Sequence, residues 1–292
     1  MLQVDGHTRL CGLIGDPVEH TVSPVIHNTL AQKEGRNLVY VPFHVEAGQV
    51  KKAVEGAFAL NVLGMNVTVP YKREVISCLD GIDGIAEKIG AVNTLVRTKQ
   101  GYKGYNTDAT GLYRAMISEN IKIEGEEILI LGAGGAARAA AFLCALKGAS
   151  KVYILNRTKE KAQMAAEEVN RQSEAGCVEA MGIDGYKNLP KDKKYLAIQA
   201  TSVGLFPNTE DAVILDKEFY RRVHTGFDLI YRPSCTQFMK LVREAGGKSY
   251  HGLKMLLYQG IEAYELWNGI SVSQEDILFV YARMKEAMGI EE

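Results

Sequence analysis

Short apolar runs alternate along the chain with longer segments of helical periodicity, which is the pattern of an α/β protein. Strands are expected at Arg9 to Ile14, Leu38 to Val45, Leu63 to Val69, a run carrying Asn93, and Tyr102 to Tyr105. Further strands are expected at Ile128 to Leu131, Val152 to Leu155, Cys177 to Met181, Tyr195 to Ala200 and Gly226 to Ile230. Helices are expected between them at Val25 to Glu34, Gln49 to Leu60, Ala109 to Glu119, Ala136 to Leu146, Lys159 to Arg171 and Thr236 to Glu244. Two more follow, from His251 to Trp267 and from a Ser273 cap to Met288. Pro42 marks the second strand as an edge, because proline cannot donate to a ladder.

Glu126 to Thr158 is the most informative stretch. Ile128 to Leu131 is too short for a helix and is bounded by glycine, so it reads as a buried parallel strand. Gly132, Gly134 and Ala137 then fill the G-x-G-x-x-G/A fingerprint, where minimal side chains allow a tight turn and close approach of a pyrophosphate. An alanine-rich helix follows, offering free N–H groups at its start to phosphate, and the next strand completes a βαβ unit of about 30 residues. Gly132, Ala133, Gly134, Gly135 and Ala136 are therefore expected to hold a dinucleotide.

The end of the second strand reads Asn156, Arg157, Thr158. An NAD site usually carries a carboxylate here, whereas a 2′-phosphate needs a cation. Arg157 can fork onto that phosphate, with Asn156, a Thr158 N-cap and Lys161 beside it, so NADP is preferred. The competing reading of Arg157 is a solvated loop residue. Thr201 and Ser202 follow the next strand, where a doubly wound sheet presents its strand ends to ligand.

Composition narrows the classes. With 292 residues and net charge −1, the chain is long enough for two domains and has no excess charge to attract nucleic acid. Five scattered cysteines fit reduced thiols, and neither cysteines nor histidines show zinc spacing, so no metal is expected. The start lacks the layout of a signal peptide and no apolar run approaches membrane length, so a cytoplasmic protein without membrane contact is expected. Any self-association is expected to be a homodimer, on the frequency of two-fold assemblies alone.

The first region holds the remaining polar candidates. Ser23 followed by Pro24 is a helix-start signature, and with Thr21 it offers either capping or a pair of hydroxyls for a carboxylate. Alternation places Asn66 and Thr68 on one face of a strand, and Pro70 should start a helix with Lys72 in its first turn. A cation is unfavourable there, so Lys72 is either solvated or needed. Asn106, Thr107 and Asp108 compete to cap the helix after them. Gln259 falls in a mostly apolar helix, where its amide requires a partner.

The stretches HTVSP (20 to 24), NVTVPYK (66 to 72), GAVNT (90 to 94), YNTD (105 to 108), GAGGAAR (132 to 138), NRT (156 to 158), ATSVG (200 to 204), DLIY (228 to 231) and MLLYQG (255 to 260) occur in the order found in the shikimate dehydrogenase family, which the chain resembles over nearly its whole length. The resemblance implies an N-terminal α/β substrate domain, 1–107, completed by 252–292, with an inserted Rossmann-type doubly wound NADP domain, 108–251. It implies oxidation of shikimate to 3-dehydroshikimate with NADP, reversed in biosynthesis, through a cleft holding both ligands. Lys72 and Asp108 are then the acid/base pair. Thr21, Ser23 and Tyr231 would hold the substrate carboxylate, and Asn66, Thr68, Asn93 and Gln259 the ring hydroxyls or the pair. Ile230, Gly252 and Met255 would line the nicotinamide end. Alternatives are an NAD(P)-dependent quinate/shikimate dehydrogenase and a non-catalytic NADP-binding regulator. Thr21 stands where the family commonly has serine, and His251 and Lys254 depart from an Asp-Gly-x-Gly pattern; Lys254 is expected either to alter the nicotinamide contact or to point into solvent.

Overall fold

The structure, a computed structural model, describes residues 4–290. It divides into two compact units, Met1–Gly111 with Leu256–Glu292, and Leu112–Met255.

The first unit opens with β1 (Arg9–Gly15), α1 (Ser23–Lys33), β2 (Leu38–His44), α2 (Val50–Ala59) and β3 (Gly64–Val67). A 3-10 turn at Glu74–Cys78, β4 (Gly81–Ile82), α3 (Gly84–Ile89), β5 (Thr94–Arg97), β6 (Tyr102–Tyr105) and the start of α4 (Thr107–Ser118) follow. Its six strands run in the order β2-β1-β3-β5-β6-β4. β1 pairs parallel with β2 and β3, while β5 is antiparallel to both β3 and β6. Pro42 lies on β2 at the sheet edge, as its missing N–H requires.

The second unit contains β7 (Glu127–Leu131), α5 (Gly135–Leu146), β8 (Lys151–Asn156), α6 (Lys159–Ser173), β9 (Val178–Gly182), β10 (Tyr195–Gln199), α7 (Lys217–Tyr220), β11 (Val223–Asp228), α8 (Gln237–Glu244) and β12 (Lys248–Tyr250). These strands form an all-parallel sheet in the order β12-β11-β10-β7-β8-β9, with the reversal at β7 and β10. That is the doubly wound order, in which ligands bind beyond the strand ends at the reversal. Ile128 to Leu131 are fully buried, as a strand covered on both faces must be. Ala137, Ala140 and Ala141 are likewise buried on α5, their small side chains letting helix approach sheet. The chain ends with α9 (Leu253–Asn268), which runs across the unit boundary, and α10 (Gln274–Met288), capped by Ser273 Oγ accepting from Asp276 N.

Three expectations need correction. Pro70 does not start a helix: Tyr71 is drawn into the core, its hydroxyl donating to Val45 O at 2.6 Å, and Tyr71 N closes a turn on Thr68 O at 3.0 Å. Lys72 therefore sits in a turn ahead of the 3-10 segment rather than in a first helical turn. Ser23 is not the N-cap of α1, a place taken by Val22; Thr21 Oγ1 accepts from Ser23 N at 3.2 Å and leaves the Ser23 hydroxyl for other partners. Finally, β12 was not expected after Gly246-Gly247, because three residues at an edge carry too little pattern to register.

Candidate active site

Asn106 resolves the competition at the start of α4. Its Oδ1 accepts from Ala109 N at 3.2 Å and its Nδ2 donates to Ala91 O at 2.9 Å, so it caps the helix while tied to the preceding loop. Asp108 is thereby released from capping, in a first turn where the helix dipole favours a carboxylate. Its Oδ2 accepts from Lys72 Nζ at 2.6 Å, a short charge-assisted bond. Lys72 is held from both sides, by the buried Tyr71 and by Val92 N donating to Lys72 O at 2.8 Å. Both side chains keep partial access to solvent, 31% for Lys72 and 22% for Asp108, so the pair can meet a ligand. The pair thus sets a hydrogen-bond donor and an acceptor side by side on the surface of one unit.

A network of buried hydrogen bonds lies beside it in the same unit. Asn93 Oδ1 accepts from Thr107 N at 2.7 Å and its Nδ2 donates to Thr107 Oγ1 at 3.0 Å. Thr94 Oγ1 and Thr107 Oγ1 are 3.0 Å apart, and Asn66 Nδ2 donates to Thr94 Oγ1 at 3.1 Å. Asn66 Oδ1 accepts from the Tyr40 hydroxyl at 2.8 Å, and that phenol also neighbours Ser23. Thr21 Oγ1 donates to Ser23 Oγ at 3.1 Å. Thr68 lies just past β3, where Gly15 makes room for its methyl: a Cβ on Gly15 would stand 2.3 Å from Thr68 Cγ2. Gln259 is buried on α9 with Nε2 donating to Leu256 O at 2.8 Å, and its backbone packs against Gly111, one turn of α4 beyond Asp108. Thr21, Ser23, Asn66, Thr68, Asn93 and Gln259 thus share a unit with the Lys72 and Asp108 pair. Tyr40, Thr94 and Thr107 were not assigned to the site; the threonines stand inside the GAVNT and YNTD stretches, but Tyr40 gave no signal in its apolar strand.

In the second unit a cavity of about 570 Å³ opens at the strand ends. Gly132, Ala133, Gly134, Asn156, Arg157, Thr201 and Ser202 line it, together with Asp211, Ala212 and Val213 from a loop that sequence reasoning did not single out. Gly132 has φ +115°, and a Cβ there would stand 2.9 Å from Thr201 Cγ2. Nothing lies within 4 Å of a Cβ built on Gly134 or Gly135, and α5 begins without a side-chain cap, so no side chain occupies the start of the helix. An anion fits such a cradle. Arg157 is exposed at the rim. Asn156 spends its amide on Thr158 O at 3.0 Å, and Thr158 occupies the N-cap position of α6 without making a side-chain cap bond, which leaves its hydroxyl available. Gly135, Ala136 and Lys161 are exposed but do not border the cavity.

Ile230, Tyr231, Gly252 and Met255 are not among the residues lining that cavity. Gly252 N donates to Ile230 O at 2.9 Å, and a Cβ on Gly252 would stand 2.3 Å from Leu229 O, so glycine is required for this contact. Burial raises the pKa of the Tyr231 phenol. Lys254 does not point freely into solvent: Nζ meets Glu119 at 2.5 Å. His251 Nδ1 accepts from Leu253 N at 3.2 Å, which caps α9, and burial lowers its pKa, keeping that nitrogen an acceptor.

Asp228 ends β11 immediately before these residues. It is fully buried, accepts from Ile230 N at 2.9 Å and Thr236 Oγ1 at 2.6 Å, and burial pushes its pKa from 3.8 to about 6. The folded chain therefore binds this proton more tightly than the unfolded chain, so stability falls as pH rises from about 4 to about 6. Above that window the cost is on the order of 3 kcal/mol. Asp228→Asn is expected to melt several degrees higher than the parent at pH 8, with the gap closing near pH 4. Equal differences at both pH values in a thermal melt would show that the buried charge is not the cause.

Among the described residues no group of three or more histidine, cysteine or acidic side chains could hold a metal, and no helix is long and apolar enough to cross a membrane.

Family models described as the shikimate dehydrogenase substrate binding domain, shikimate / quinate 5-dehydrogenase, and shikimate 5'-dehydrogenase C-terminal domain match residues 13–95, 115–182 and 252–278. Shikimate dehydrogenase (NADP(+)) of Methanothermobacter thermautotrophicus is 42% identical over 268 residues, 91% of this chain and 93% of that protein. The crystal structure of a shikimate dehydrogenase in complex with NADP+ superposes with a TM-score of 0.87 at 35% identity, covering 99% of this chain and 98% of that one. Shikimate 5-dehydrogenase from Listeria monocytogenes, in complex with shikimate and NAD, gives 0.87 at 31% identity over 98% of both chains. With this likeness extending from the first unit to the last helices, the chain belongs to the shikimate dehydrogenase family.

Proposed function

We propose that the protein catalyses the reversible reduction of 3-dehydroshikimate to shikimate with NADP. The observation that carries this reading is the 2.6 Å contact between Lys72 and Asp108, partly open to solvent, in a chain of this family. When bound, NADPH would supply the hydride that the ring carbonyl carbon takes up. The protein's part is to deliver a proton to the carbonyl oxygen as charge develops there, and Lys72 with Asp108 is the group assigned to it. In the reverse direction the same pair receives the proton as the alcohol carbon gives up its hydride. Thr21 and Ser23 are assigned to the carboxylate with Tyr231, and Asn66, Thr68, Asn93 and Gln259 to the hydroxyls, since these types suit a neutral polyol with one anionic end.

The first unit is assigned the substrate and the second the dinucleotide, whose pyrophosphate suits the α5 N-terminus and whose 2′-phosphate suits Arg157. Ile230, Gly252 and Met255 are assigned to its nicotinamide end. A homodimer is the assembly proposed, on the frequency of two-fold symmetry, and cytoplasmic residence, on five free thiols.

Thr21 favours one second reading, a dehydrogenase that also takes quinate, because its methyl reshapes the proposed carboxylate pocket. Steady-state rates crossing shikimate and quinate with NADP and NAD test both. Shikimate with NADP is expected to give the highest kcat/KM. A preference for quinate or for NAD would replace the first reading with the second, and no turnover with any pair would leave a binding protein on the same scaffold.

A further inference from the structure

Asn66 is buried, 4% exposed, and its amide orientation is set by its neighbours. Asn93 O, 3.3 Å away, can only accept, so the Asn66 side facing it must be Nδ2. Thr94 Oγ1 takes the second Nδ2 hydrogen at 3.1 Å. The other side of the amide is then Oδ1, and the Tyr40 phenol 2.8 Å from it must donate. Both donors of Asn66 are spent inside the protein, so Oδ1, which the Tyr40 phenol holds and the His27 ring also neighbours, is the one atom left to accept from a ligand. Tyr40 itself has no other freedom. It is 1% exposed, its ring stacks on His27 with centroids 4.2 Å apart, and the Trp267 ring lies 6.0 Å from it. The phenol is therefore aimed by packing at the one oxygen through which Asn66 can speak to substrate.

We propose that Tyr40 is a positioning residue of the substrate site, holding Asn66 so that Oδ1 accepts a hydrogen bond from a ring hydroxyl of the substrate. This rests on the assignment of Asn66 to the substrate made above. Tyr40 is buried behind Asn66 and is assigned no direct contact with substrate; its phenol also neighbours Ser23, and a double-mutant cycle separates the part that runs through Asn66. Removing its hydroxyl leaves a buried acceptor with one partner fewer and lets the amide tilt off its axis.

The test is a double-mutant cycle with Tyr40→Phe and Asn66→Ala, read as KM for shikimate, KM for NADP and melting temperature. Phenylalanine preserves the stacking on His27, so Tyr40→Phe is expected to melt within a few degrees of the parent. Its KM for shikimate is expected to rise about tenfold, with KM for NADP unchanged. In the Asn66→Ala background the same change is expected to add less than about threefold, because the group it positions is gone. A Tyr40→Phe variant with unchanged KM for shikimate overturns the proposal, as does a full tenfold effect that persists without Asn66. Should Asn66→Ala fail to fold, Asn66→Ser completes the cycle with the same expected and overturning outcomes. If Asn66→Ala folds and leaves KM for shikimate untouched, or the parent turns over no shikimate, the failure lies in the underlying assignment and the proposal falls with it.

Discussion

Lys72→Ala is expected to lower kcat by about 10² to 10⁴ while KM for shikimate moves within a few-fold, the signature of an interaction made in the transition state and not in the bound ground state. The magnitude follows from what general acid/base catalysis contributes when the proton must otherwise come from water. Because Lys72 and Asp108 share a 2.6 Å hydrogen bond, removing either strands the other without its partner, and the two losses should be nearly the same. The Lys72→Ala, Asp108→Asn double variant is accordingly expected to be no slower than the slower single variant. Multiplicative losses in steady-state kcat would mean two separate roles. An unchanged kcat in Lys72→Ala would remove the proton-transfer role altogether.

Arg157→Asp is expected to reverse cofactor preference, lowering kcat/KM for NADP by about 10² or more while that for NAD changes only a few-fold. A 2′-phosphate carries close to two negative charges at neutral pH, and the substitution replaces a forked cation with a repelling carboxylate at the cavity rim. Part of the wild-type preference should also fade with added salt, since the guanidinium is exposed and screened. Kinetics with both cofactors at two ionic strengths measure this, and equal losses for NADP and NAD would leave Arg157 with no part in choosing between them.

How much could be read before the structure depended on whether the determining contacts were local. Gly132 and Gly134 were legible because a fingerprint compresses turn, strand and helix into adjacent positions, and Arg157 because it follows the next strand at a fixed distance. Asp108 was ambiguous: three adjacent residues could each cap α4, and only the tie from Asn106 to Ala91 O decides among them. Ser23 was open between a cap and a carboxylate donor, because serine before proline fits both; the N-cap falls on Val22, and Thr21 accepts the Ser23 N–H. Tyr40 could not be found, since its neighbours Asn66, His27 and Trp267 are distant in sequence and its own strand reads as apolar. Asp211 and the loop around it carry no period at all, and only the shape of the cavity identifies them.

Trp267 donates from Nε1 to Leu95 O at 2.9 Å and packs so closely on β3 that any Cβ on Gly64 would collide with its ring. Part of the wall around His27 is therefore supplied by Tyr264 and Trp267 of α9, which follow the whole of the middle unit in the chain. The middle unit, contiguous from Leu112 to Met255, emerges whole and has every strand of its sheet before Trp267 is made. Synthesis thus lets the middle unit complete its sheet before the first unit receives α9, although the first unit's own strands are made earlier.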